Sequence, residues 1–154
     1  MISRSVNETI RIGRIIGKNL KKGDIICLSG ELGSGKTVLA KGIALGLGVK
    51  KTDVISPSFV LIRRHFEGRL PLYHFDLYRL NGPAQIIPLG FEEYFYGDGV
   101  TVIEWAEKLR FLLPVESLKA DLSFKTGTQR VIKFTARGAR YRQLLKRINE
   151  NLRN

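Results

Sequence analysis

The chain has 154 residues, 44% of them hydrophobic, and a formal net charge of +12 at pH 7. That length supports one domain with a buried core, spanning the whole chain, and excludes two well-buried ones. No run approaches the roughly 20 apolar residues that cross a bilayer, and Met1 to Ser5 lack the apolar segment of a secretory signal, so a cytoplasmic protein without membrane contact is expected. The single cysteine, Cys27, sits in an apolar run and leaves no disulfide or zinc site.

In chain order, Ser5-Val6-Asn7-Glu8 has capping-box spacing, and Ile10, Ile12, Ile15, Ile16 and Leu20 recur along one face of a helix predicted from about residue 6 to 20. Lys21 to Asp24 turn into the apolar run Ile25 to Leu28, a predicted strand. Gly30 to Thr37 then read Gly-Glu-Leu-Gly-Ser-Gly-Lys-Thr, a full match to the phosphate-loop pattern G-x-x-x-x-G-K-[ST], and Val38 to Leu45 continue as a helix ending near Gly46 or Gly48. The order strand, loop, helix is the context this motif requires.

Ser56-Pro57-Ser58 is a turn signal, after which Phe59 to Ile62 and Leu70 to Phe75 predict a β-hairpin. Residues 81 to 99 are rich in turn formers, with a short helical piece around Phe91 to Phe95. Val100 to Ile103 form a β-branched run, a buried strand ending at Glu104-Trp105. Two further strands are expected near 120–124 and 130–135, with Thr126-Gly127-Thr128 as the turn. Tyr141, Leu144, Leu145, Ile148 and Leu152 line one side of a basic amphipathic helix at about 138–152. The pattern is α/β, a phosphate-loop NTPase-like three-layer fold with a central mixed, largely parallel sheet flanked by helices.

The loop carries the chemistry. Glycines at 30, 33 and 35 let the backbone turn with its N–H groups inward, an anion nest completed by the positive end of the following helix. Lys36 is placed to reach β- and γ-phosphates, and the Thr37 hydroxyl to join the shell of Mg²⁺. A metal held this way needs a carboxylate at the end of a neighbouring strand. Glu104 fits if its strand pairs beside the first; otherwise it caps the helix from Trp105 to Leu109. Asp76, closing the run from Leu70 to Phe75, either holds water near the metal or forms a turn. His65 and His74 read as structural or surface histidines, and Trp105 as either a stacking residue or core.

Charge is concentrated at the C-terminal end, where residues 125 to 154 hold nine Lys or Arg and one acid. Such an end either contacts RNA or an acidic protein surface, or is a solvated helix face.

The segments Glu-Leu-Gly-Ser-Gly-Lys-Thr at 31–37, Ser-Pro-Ser-Phe at 56–59, His-Phe-Asp-Leu-Tyr-Arg-Leu at 74–80, Leu-Gly-Phe-Glu-Glu-Tyr at 89–94 and Ile-Glu-Trp at 103–105 resemble, in order, the pattern of the TsaE (YjeE) family, from about Ser5 to Arg137. The resemblance implies a Mg²⁺-dependent ATPase that supports threonylcarbamoyladenosine modification of tRNA together with TsaB and TsaD, and because no arginine finger can be assigned, turnover is expected to be slow until a partner orders the site. It implies ATP or ADP against Gly33, Ser34, Gly35, Lys36, Thr37 and Val38, metal at Thr37 and Glu104, catalytic roles for Lys36, Asp76 and Glu104, and a switch or partner segment at Ser56, Ser58 and Phe59, with Trp105 as the family tryptophan. Thr9 and Arg130 correspond to positions near adenine and ribose. The family usually has Thr where this chain has Ser58, which keeps the hydroxyl, and residues 81–88 are poorer in acids than is usual. Two other readings use the same residues: a small-molecule kinase, and a tRNA-binding module with a vestigial ATP site. Arg79 is the one arginine considered as a finger, without an assignment.

Overall fold

The computed structural model describes residues 1–53 and 61–154. Seven strands, β1 (Ile2–Ser3), β2 (Ile25–Gly30), β3 (Ile62–His65), β4 (Leu72–Asp76), β5 (Val100–Glu104), β6 (Ser117–Phe124) and β7 (Arg130–Arg137), form one sheet in the order β1-β7-β6-β2-β5-β4-β3. The four central strands run parallel, while β7, β1 and β3 join antiparallel at the two edges. Helices are α1 (Val6–Asn19), α2 (Lys36–Gly46), α3 (Pro83–Ile86) and α4 (Ala139–Arg153), with 3₁₀ turns at Ile87–Leu89, Phe91–Glu93 and Ala106–Leu112.

Strand alternation sorts β2 between two cores. Ile26 and Leu28 pack under α1, α2 and α4 with Ile12, Ile16, Leu39, Ile43, Leu144 and Ile148. Ile25 and Cys27 face the other layer, built from α3 and the 3₁₀ segments through Ile86, Phe91, Phe95 and Leu109. Both faces of the parallel strands are therefore covered, which is why they read as continuous apolar runs. Burial pushes the Cys27 thiol up to about 12, outweighing a hydrogen bond from Ser117 and the charges of Arg137 and Lys119.

Each helix on the first face has its own attachment. Ser5 caps α1 by accepting from the Glu8 amide at 3.1 Å, and Glu8 answers by accepting from the Arg4 amide at 2.6 Å. α4 is fastened by Tyr141, whose buried hydroxyl accepts from the Ile25 amide at 2.8 Å, and by Arg140, whose Nε donates to Asp24 at 3.0 Å. One cation of the C-terminal run is thus spent on a buried carboxylate at the start of β2.

α1 and α2 meet backbone to backbone. Gly13 and Gly17 on α1 face Gly42 and Gly46 on α2, and a Cβ at Gly42 would lie 2.5 Å from the Ile10 carbonyl oxygen and 2.9 Å from the Gly13 Cα. At Gly17 it would lie 2.2 Å from the Ile43 carbonyl oxygen. Four glycines inside two helices each cost about 1 kcal/mol of helix propensity, and the close crossing is what they make possible.

Among the described residues the edge hairpin is β3 against β4. Ile62 to His65 pair with Leu72 to Phe75, and Leu61, at φ 59, breaks the extended path just before β3. An edge strand tolerates charge, so Arg63 and Arg64 can sit within β3; Phe59 and Val60 of the expected strand lie outside the described residues. The expected helix after Glu104 is instead a 3₁₀ segment entered through a left-handed Trp105 and broken at Arg110, at φ 50 and ψ −116.

Candidate functional site

The site lies where the parallel strands end. Register pairs Leu28 with Glu104 and Glu104 with Asp76, so the exit of β2 and two strand-end carboxylates stand side by side. This is the crevice beyond the carboxyl ends of a parallel sheet, where ligands of open α/β folds bind. The phosphate loop leaves β2 at Gly30 and enters α2 at Lys36, with Gly35 as its N-cap.

The loop glycines are needed for different reasons. Gly33 and Gly35, at φ 76 and 105, adopt a left-handed backbone with no close neighbour at the Cβ position. At Gly30 the constraint is the adjacent strand, not the phosphate side as the motif alone suggests, because a Cβ would stand 2.2 Å from the Leu122 carbonyl oxygen of β6.

A cleft of about 440 Å³ opens in front of the loop, lined by Gly33, Gly35, Lys36, Thr37, Val38, Asp76, Tyr78, Arg79, Glu104 and Trp105. The Lys36 ammonium donates to the Gly30 and Glu31 carbonyls at 2.6 and 2.8 Å and reaches Ser34 Oγ at 3.4 Å. Its other side stands 4.0 Å from the centre of the Trp105 ring. Burial lowers the Lys36 pKa, opposed by the charges of Glu107, Glu104 and Asp76. Trp105 reaches this place because its backbone is left-handed, at φ 59 and ψ 39. For a bulky residue that conformation costs about 1–2 kcal/mol, and it turns the indole back over the lysine, where it also meets Tyr78 at 5.1 Å. Sequence reasoning had no signal for this turn.

The Thr37 hydroxyl donates to Glu104 Oε2 at 3.2 Å. Glu104 is 1% exposed, and its Oε1 has no hydrogen-bond partner. Burial, the largest influence, pushes its pKa up, but the nearby His74 ring, Asp76 and the Thr37 hydroxyl together outweigh it, holding the carboxyl below its usual range. Asp76 accepts from the Tyr78 amide at 2.9 Å and is 4% exposed. A hydroxyl and ionised carboxylates are hard oxygen donors. No group of three or more His, Cys, Asp or Glu among the described residues could hold a metal alone. Such a sparse oxygen set suits Mg²⁺, which keeps several waters, and a polyphosphate oxygen can complete the shell.

A second cleft, of about 140 Å³, shares Gly33, Gly35 and Val38 with the first and adds Val6, Thr9, Gly127, Thr128 and Arg130. The structure therefore brings Thr9 and Arg130 together on the far side of the loop. Thr9 is fixed by a 2.7 Å hydrogen bond with Ser3, and Arg130 lies over the Phe124 ring at 4.2 Å while donating to the Gly127 and Gln129 carbonyls. Ser56, Ser58 and Phe59 lie outside the described residues.

Basic charge is also gathered where the sequence pattern gave no hint of it. A cleft of about 430 Å³ between α1 and α2 is lined by Asn7, Ile10, Arg11, Arg14, Lys41, Leu45 and Lys51. Among the described residues, none of these four cations takes part in an ion pair.

The family model for threonylcarbamoyl adenosine biosynthesis protein TsaE matches residues 3–132. The chain is 40% identical over 150 residues to the tRNA threonylcarbamoyladenosine biosynthesis protein TsaE of Bacillus subtilis (strain 168), covering 96% of this chain and 93% of the relative. It is 43% identical over 121 residues to the protein of the same name from Treponema pallidum (strain Nichols), covering 79% and 88%. Among solved structures it is similar to the crystal structure of Bacillus subtilis YdiB, with a TM-score of 0.84 and 36% identity over 98% of this chain and 93% of that one.

Proposed function

The chain belongs to the TsaE family and has its role in tRNA threonylcarbamoyladenosine biosynthesis, and from that premise we propose that it is a Mg²⁺-dependent ATPase that acts with TsaB and TsaD. The observation that carries this reading is the hydrogen bond from Thr37 to the buried Glu104, set beside Lys36 at the mouth of a glycine cradle. A helix-capping glutamate would not need to be buried against the second residue of α2.

In this reading the loop amides and the Lys36 ammonium hold the polyphosphate of ATP and take up negative charge as the terminal bond breaks. Thr37 and Glu104 hold Mg²⁺, which supplies charge neutralisation at the phosphate oxygens when bound. Asp76, beside Glu104, orients the attacking water. Val6, Thr9, Val38 and Arg130 form the base and ribose side. Trp105 keeps bulk water from the lysine. No helix among the described residues is long and apolar enough to cross a membrane.

The test is ATP hydrolysis by the purified protein with and without TsaB and TsaD, for wild type and Glu104→Ala. We expect slow turnover alone, at least about tenfold stimulation by the pair, and loss of that stimulation in a folded Glu104→Ala variant. Turnover of several per second by the isolated protein, unchanged by the partners, would refute the partner dependence.

The cleft between α1 and α2 favours one second reading, direct contact with tRNA phosphates. Arg11→Glu with Arg14→Glu should then weaken filter-retained tRNA at least tenfold at low salt and flatten the salt dependence. Lys36→Ala should leave that binding intact. Equal loss from Lys146→Glu with Arg147→Glu, or no retention by wild type, would place the contact elsewhere or remove it.

A further inference from the structure

His74 is a buried polar side chain beneath the candidate site for which the mechanism has no use. It lies on β4 two residues before Asp76, so alternation puts both on the same sheet face, and its register partner on β5 is Val102, two residues before Glu104. His74 is 2% exposed and Glu104 1%. His74 Nε2 stands 3.6 Å from Glu104 Oε1, and neither atom has a hydrogen-bond partner. The other oxygen of the same carboxylate accepts from Thr37.

Two orphaned polar atoms, buried and facing each other, are costly apart and mutually satisfying together. The gap is a few tenths of an ångström beyond a hydrogen bond, within reach of a small carboxylate rotation. Among its neighbours on that sheet face are Leu72 and Val102, both buried in the apolar core. A leucine or phenylalanine would fill that space at less cost in desolvation, so packing alone gives no reason for an imidazole here.

We propose that His74 is a positioning residue for the metal-side carboxylate. Its ring donates Nε2–H to Glu104 Oε1 and fixes the carboxylate plane, so that Oε2 stays directed at the Thr37 hydroxyl and at Mg²⁺ held there. The role is that of an outer-shell hydrogen bond, which in metal sites is worth about 10–100-fold in metal affinity. The proposal rests on the reading of Glu104 as the metal-side acid.

Calorimetric titration of ADP at a series of Mg²⁺ concentrations tests it without relying on turnover. His74→Leu should raise the Mg²⁺ needed for half-maximal ADP affinity at least about tenfold, with magnesium-free ADP binding unchanged. His74→Gln, which can present an N–H near the same point, should stay within about threefold of wild type. A smaller shift in a folded His74→Leu variant, or equal losses in the Leu and Gln variants, would overturn the proposal. Glu104→Gln separates the two levels: no change in its Mg²⁺ requirement removes the metal reading itself, whereas a shift there with none in His74→Leu removes only the role of His74. Should the Leu variant not fold, ¹⁵N-histidine spectra of the wild-type protein decide, with His65→Gln assigning the two rings. A proton on Nε2 of His74 supports the proposal, and a bare Nε2 overturns it.

Discussion

Lys36→Ala is expected to lower ATP hydrolysis by about 10²–10³-fold, or roughly 2.7–4 kcal/mol of transition-state stabilisation, the scale of removing one preorganised donor from a site of developing negative charge. The fold should survive. The ammonium is bonded to the carbonyls of Gly30, which is half-buried, and Glu31, which is exposed, and both can turn to water once it is gone. Burial already works against the charged form of this lysine, so its removal also relieves a desolvation cost. A stability change of about 1 kcal/mol or less follows. The loss should appear in kcat and kcat/KM together if the ammonium acts chiefly on the transition state, and in KM alone if it serves only to hold ATP. Lys36→Arg should not restore activity, because a planar fork cannot occupy a point flanked by two carbonyls and an indole face. Steady-state kinetics on folded variants, with partners present, decide the matter: activity within threefold of wild type in Lys36→Ala would remove the loop from the chemistry.

The parts of the site that were legible in sequence are those set by backbone demands over short distances. Gly33, Gly35, Lys36 and Thr37 announce themselves because the tight left-handed turn and the helix start must use those residue types. Glu104 and Asp76 were legible as carboxylates closing apolar runs, but their adjacency depends on β4 pairing parallel to β5, a register that spans the intervening residues 77–99. Trp105 was legible as an aromatic next to a strand end. Its position over Lys36 was not, since a left-handed tryptophan runs against local preference and is held there by Tyr78 and the packing around it. His74 failed to stand out for a similar reason: a lone histidine in an apolar strand has no spacing pattern, and only the neighbouring strand reveals what it faces. β3 was not legible as a strand of its own because hydrophobic alternation marks buried strands, whereas Ile62 to His65 form an edge that carries Arg63 and Arg64. The basic C-terminal run was visible as a count, yet Arg140 serves a buried Asp24, and part of the accessible charge lies instead on α1 and α2.

Gly42→Ala is expected to destabilise the protein by about 2 kcal/mol or more, although the same change in an exposed helix would stabilise it by about 1 kcal/mol. The sign reverses because the new methyl meets backbone on every near side: the Ile10 carbonyl oxygen at 2.5 Å, the Gly13 Cα at 2.9 Å and the Ile10 Cα at 3.1 Å. No rotamer relieves such a contact, so α1 and α2 must separate. That separation reaches the candidate site, because α2 begins at Lys36, which lines the first cleft, and α1 carries Thr9, which lines the second. The melting temperature should fall by roughly 4–8 °C, and ADP affinity should weaken in the variant even under conditions where it is fully folded. Gly13→Ala should cost a similar amount, since its Cβ would lie 2.5 Å from the Leu39 carbonyl oxygen and 2.8 Å from the Gly42 Cα. The double variant should cost less than the two single changes added together, because helices already forced apart by one methyl leave room for the second. Denaturant unfolding of the two single variants and the pair measures that coupling. Strict additivity, or a Gly42→Ala protein more stable than wild type, would show that the two helices do not depend on backbone contact to hold the phosphate loop against the rest of the site.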